Sequence, residues 1–130
     1  MKKILLAIAL ALFSTGAMAK WMTVGKSEGA TGFTVYADQS TAKKTGGMSK
    51  MWSLFDFNST RTSKDFQYLS YKQLVEYDCK NDKNRVLEYS LHSKHMAKSG
   101  AIFKNSVPGK WQQTTPQSVS GNLLDIACKK

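Results

Sequence analysis

Phe66-Gln67-Tyr68-Leu69-Ser70-Tyr71-Lys72-Gln73-Leu74-Val75-Glu76-Tyr77-Asp78-Cys79 alternates two kinds of side chain along its length. Leu69, Tyr71, Val75, Tyr77 and Cys79 share one face of an extended chain; Ser70, Lys72, Glu76 and Asp78 share the other. Successive side chains of a β-strand point to opposite faces, so this period of two predicts a strand with a core face and a polar face. Lys80 to Asn84 is a polar turn. Arg85 to His95 is its expected hairpin partner, with Leu87, Tyr89 and Leu91 on one side.

Strand patterns continue upstream. Trp21 to Val24 is a short strand, Lys26 to Gly32 is turn material, and Gly32 to Asp38 carries the β-rich set Phe33, Val35 and Tyr36. Lys43 to Gly47 is a second turn. Met48 to Phe57 follows, with Trp52 and Leu54 on one face and Met51, Phe55 and Phe57 on the other, a strand expected to be covered on both sides. Downstream, Ala101-Ile102-Phe103 is a further short strand. The period then changes. Thr115 is the expected N-cap and Pro116 the first helical residue, and Val119, Leu123, Ile126 and Ala127 fall on one helical face. Gly121 weakens such a helix by roughly 1 kcal/mol relative to Ala, so packing must hold it. The expected fold class is α+β: an antiparallel β-sheet with a C-terminal helix packed on one face.

The N-terminus follows the plan of a secretory leader. Lys2 and Lys3 precede the apolar run Ile4 to Phe13, which is shorter than the roughly 20 residues of a membrane-spanning helix. Ala17-Met18-Ala19 matches a small-x-small cleavage site, so residues 1–19 are the expected signal peptide and 20–130 the mature domain. Lys20, not cysteine, stands at the expected start, which removes the acceptor for a lipid anchor. No mature segment is apolar enough to span a membrane. The expected location is periplasmic or secreted, as something other than a lipoprotein. An even count of two cysteines, Cys79 and Cys128, in an exported chain points to a disulfide. A reactive thiol pair and an intermolecular bridge are the alternatives.

Removing the leader lowers the formal net charge from +10 to +8 by taking Lys2 and Lys3 with it. That excess favours acidic partners, although charge also serves solubility. Lys80, Lys83, Lys94, Lys98, Lys104 and Lys110, with Lys43 and Lys44, are candidates for a basic surface. Trp21, Trp52 and Trp111 are candidate anchors, but in a small β-rich domain such residues ordinarily fill the core, and that is the expectation here. His92 and His95 fall on opposite faces of the expected strand, which disfavours a shared metal or a shared phosphate. The sequence carries no Gly-rich phosphate loop, zinc spacing or nucleophile elbow. No catalytic residue, cofactor or metal is expected.

The order of landmarks is distinctive. Trp21 and Gly25 open the domain. Val35-Tyr36-Ala37-Asp38, Met51-Trp52 and Asp56, Tyr68-Leu69-Ser70-Tyr71-Lys72 and Glu76-Tyr77-Asp78-Cys79 follow. Gly100, Trp111, Pro116, Ser118 and Ala127-Cys128 close it. This sequence resembles the bacterial surface-adhesin protein E family over nearly all of its mature part. The resemblance implies an antiparallel sheet with a helix held by a Cys79–Cys128 bridge. It also implies a non-enzymatic binding protein; the family's named adhesin binds host extracellular-matrix proteins such as vitronectin and laminin, and matrix binding is carried to this chain as a hypothesis. The family's named adhesin is a surface lipoprotein, and this chain departs from it at Lys20.

The sequence therefore leads to a small exported basic binding protein, meeting a host matrix protein or an acidic glycan. A periplasmic structural or stress protein with an envelope partner is the alternative, and a small secreted nuclease ranks below it. A host lysozyme is a poor target for this chain because both are basic. Nucleic acid is disfavoured as a partner, and no pattern specifies an oligomeric state.

Overall fold

The computed structural model describes residues 19–130, so the expected leader lies, but for Ala19, outside the described residues. Period-two alternation becomes one seven-stranded antiparallel sheet. Its strands are β1 (Met22–Ser27), β2 (Phe33–Thr45), β3 (Met48–Ser63), β4 (Phe66–Asp78), β5 (Lys83–His92), β6 (Ala101–Asn105) and β7 (Gln112–Gln113). β1 to β6 lie side by side in chain order, and β7 pairs with the start of β5. The chain closes with helix α1 (Val119–Cys128).

β4 has the faces its sequence predicts. Val75 and Tyr77 point under α1 and join Val35, Ala37 and Met51 against Leu123, Leu124, Ala127 and Cys128. Fully burying side chains of this kind contributes roughly 1.5–3 kcal/mol each. Cys79, just beyond β4, is bonded to Cys128 at the end of α1, across 49 residues of sequence. The Ser49 hydroxyl donates to the Ala127 carbonyl at 2.7 Å, fixing the same end of the helix to β3. Lys129 adopts a left-handed conformation (φ 57°), and the Lys130 N–H donates to the Asp125 carbonyl, so the last helical carbonyls are satisfied.

β2 and β3 run past their expected ends, to Thr45 and Ser63, and three details of the C-terminal half also differ from the sequence reading. The helix is capped by Ser118, not Thr115: the Ser118 hydroxyl accepts from the Gly121 N–H at 3.0 Å, while Pro116 and Gln117 form a turn ahead of the helix. That turn explains Gly121, since a Cβ there would sit 2.6 Å from the Thr115 carbonyl oxygen. The second difference is a bulge at Leu87. It brings Val86 opposite Val75 and breaks the expected Leu87-Tyr89-Leu91 alternation. Third, β5 ends at His92, and His95 begins a 3-10 turn, His95–Ala97.

Beyond the helix, the same face of the sheet is covered by its own aromatics. Phe33, Phe55, Tyr71, Tyr89 and Phe103 contact in sequence across five strands, with ring centroids 5.3–6.0 Å apart. Burial, with Tyr89 and Tyr68 nearby, pushes the Tyr71 phenol up to about 12. Burial also raises the Tyr77 phenol, whose oxygen has no hydrogen-bond partner.

Candidate binding face

The other face of the sheet carries no helix, and register decides what it shows. Three cross-strand rows run over it. Lys43, Lys50, Glu76 and Arg85 are consecutive partners across β2, β3, β4 and β5. Asp38, Trp52, Leu74 and Glu88 form the next row, and Tyr36, Leu54, Lys72 and Ser90 the third. Asp56, Ser70 and His92 lie farther along the same face.

One end of this face is closed by residues 93–99. Asp56 accepts from the Met96 N–H at 2.8 Å and from His95 Nδ1 at 3.2 Å. The Ser70 hydroxyl donates to the Lys94 carbonyl at 2.6 Å and accepts from the Ala97 N–H at 2.9 Å. His92, only 7% exposed, donates from Nδ1 to the Ser99 carbonyl, and its Nε2 lies 2.8 Å from the Ser90 hydroxyl. Met96 and Ala97 both hold positive φ, 58° and 52°, under these bonds. This is a polar clasp, with His92 buried inside it and His95 at its exposed edge.

The other end is open. Trp52 is half-buried between two depressions, one lined by Trp21, Asp38 and Lys72 and one by Lys43, Lys50 and Leu74. Lys72 Nζ lies 4.6 Å from the centre of the Trp52 ring. Lys43 and Lys50 are directly opposed on neighbouring strands, an arrangement that destabilises a sheet. Neither has an acid to itself: Glu76, next in the row, is held by Arg85 at 2.7 Å. Among the described residues Lys43, Lys50 and Lys72 make no ion pair. Arg85 in turn lies 4.7 Å over the ring of Trp111, which is 37% exposed. None of the tryptophans belongs to the buried core, which corrects the expectation for them. They have space outside because the core under α1 is narrow and filled by smaller side chains.

Aromatic rings flanked by unpaired ammonium groups suit a ligand with both flat apolar surface and negative charge. Among the described residues no three of His, Cys, Asp and Glu converge as a metal group, and no described helix is long and apolar enough to cross a membrane.

The family model for surface-adhesin protein E matches residues 21–129. The chain belongs to that family. Among solved structures, crystal form II of Haemophilus influenzae protein E matches it with a TM-score of 0.58 and 12% identity, over 73% of this chain and 80% of that one. At that identity the likeness carries the fold alone. No curated protein sequence matches the chain. Family membership makes this an adhesin-like protein, and the structure supplies the sheet, helix and bridge expected of it.

This adhesin E-family chain does not gather its turn lysines. Lys80 and Lys83 sit at the β4–β5 turn, whereas Lys94 and Lys98 flank the 3-10 turn at the far end of β5, about 30 Å away. Lys104 lies opposite Ser90 on β6, and Lys110 precedes β7. The lysines that flank Trp52, beside Lys43, are Lys50 on one side and Lys72 on the other, both on strands. Their signal was present in the alternation: Lys50 and Trp52 share a face, and Lys72 lies on the polar face of β4.

Proposed function

We propose that the protein is an exported, non-enzymatic adhesin whose open outer face binds acidic stretches of a host extracellular-matrix protein or glycan. The observation that carries this reading is the group of unpaired lysines, Lys43, Lys50 and Lys72, around Trp52. Family membership and the expected leader, residues 1–19, support it. Exposed charges are screened over about 8 Å at physiological ionic strength, so binding should weaken with salt. The test is binding to immobilised vitronectin and laminin at 50 and 500 mM salt (both concentrations are assay conditions, about a twofold change in screening length either side of physiological). Lys50→Glu with Lys72→Glu should lower affinity about tenfold or more at low salt and much less at high salt, as expected for two charge reversals. Equal binding by this variant at low salt would remove the face from the account.

Lys20 at the expected start favours a second reading, retention in the periplasm with an envelope partner, because it leaves no lipid acceptor. External protease on intact cells separates the two. Degradation supports adhesion; protection until the outer envelope is opened supports the envelope partner. Purified protein is expected to leave RNA and DNA intact.

A further inference from the structure

Beside the open face lies a buried carboxylate without a basic side chain. Asp38 is 3% exposed. One of its oxygens accepts from the Ser40 N–H at 3.2 Å and from the Ser40 hydroxyl. The other accepts from the Lys20 backbone nitrogen at 3.1 Å. No Lys, Arg or His side chain among the described residues pairs with it. A carboxylate removed from water is costly unless charge is returned to it, and neutral donors supply that only in part.

Lys20 is also the residue after the expected leader cleavage site. Hydrolysis of the Ala19–Lys20 bond by a leader peptidase adds one water across it. The carboxylate stays on Ala19, and Lys20 keeps a free amine that takes up a proton, since α-amines ordinarily titrate near 7.7–8.0. We propose that Asp38 is the receptor for this new ammonium. Processing replaces the uncharged peptide N–H that donates to this carboxylate with an ammonium, making a part-buried ion pair at an atom already in place. The same cut takes Ala19 out of the depression that it lines with Trp21, Asp38, Trp52 and Lys72. It also neutralises the acid that stands directly opposite Trp52 in its row. Processing thereby alters the binding face at one edge: Ala19 leaves the depression, and the carboxylate opposite Trp52 no longer offsets the lysines around it. The inference rests on the export reading given above and adds a structural role for the cut.

The mass of the protein recovered from exporting cells tests the first link. A chain beginning at Lys20 is expected, and any other start overturns the proposal through its processing step. The pairing is tested separately on residues 20–130, which carry every described element. Four chains are compared: starting at Lys20 or retaining Ala19, each with Asp38 or with Asp38→Asn. Retaining Ala19 should lower the thermal midpoint by about 5 °C when Asp38 is present, from the difference between a charged and an uncharged donor to the same carboxylate. It should have little effect with Asn. Equal effects in both backgrounds, or none in either, overturn the pairing. If Asp38→Asn prevents folding, the α-amine of the chain starting at Lys20 still decides. Its titration, followed by isotope labelling of the amine, should lie above the ordinary range. A value within that range overturns the ion pair.

Discussion

Under α1 the sheet is held by shape: Val35, Met51, Val75 and Tyr77 fill the space beneath Leu123, Leu124 and Ala127, with one disulfide at the edge. Across the same strands, the outer face is held by polar bonds at one end and left open at the other. The first arrangement is set by local alternation and helical period. The second is set by which residues register brings together, and it retains a like-charge pair, Lys43 and Lys50, that folding alone would not select. On the proposed reading, the packed core and the binding surface lie on opposite sides of one sheet.

The most direct way to break the contrast is to remove the bridge. Cys128→Ser should cost about 4 kcal/mol, the chain-entropy value for a loop of this length. Urea denaturation should show a lower midpoint, while the protein that remains folded keeps its outer-face binding. An unchanged midpoint would mean that packing alone holds α1. Alkaline pH loads the same face. Tyr71, at about 12, and Tyr77, also raised, hold their protons more tightly folded than unfolded. The unfolded chain sheds them first, so their contribution is complete below pH 10 and is lost as pH rises through the folded values. Unfolding followed together with phenolate absorbance checks the sign: the two should rise in step.

The clasp is the next target. Asp56→Ala removes the acceptor of Met96 N–H and the partner of His95, at a cost of roughly 2 kcal/mol. Amide exchange should speed up at residues 94–99 and stay slow in α1. Uniform acceleration would show that the two faces are a single cooperative unit. Gly121→Ala sets a helix gain of about 1 kcal/mol against overpacking of roughly 1–3 kcal/mol where a Cβ meets the Thr115 carbonyl. A net loss is expected in the denaturation midpoint. The smallest effect has the opposite sign. Lys50→Gln relieves the opposed lysines and should stabilise by a few tenths of a kcal/mol while weakening acidic partners. A loss of stability with no loss of binding would show that Lys50 serves the fold.

The alternation of residues 66–79 and the apolar stripe of α1 made the sheet, the helix and their contact legible. Bulges were not, because an extra residue such as Leu87 carries no mark in composition until its partner strand is known. The capping error has a similar source. Thr115-Pro116 has the chemistry of a helix start, but the turn through Gln117 delays the helix until Ser118. The site was missed for another reason. Turns are exposed and turn lysines stand out in sequence; Lys50 shares a face with Trp52 within β3, whereas Lys72 becomes its neighbour only through the pairing of β3 with β4. Asp56 and Ser70 were legible as landmarks and His92 as one of two histidines, but their shared role appears only when residues 93–99 fold back over them.

The bridge also fixes an order of events. Cys79 ends the strand that the sequence specifies best, yet its partner is the final residue of α1, so the sulfur must wait while β5, β6, β7 and the helix are made. The chain holds no third cysteine, and an early oxidation has no wrong partner within the molecule, only another molecule. Chains trapped before α1 docks are therefore expected to run as covalent dimers on a non-reducing gel, and folded chains as the closed monomer.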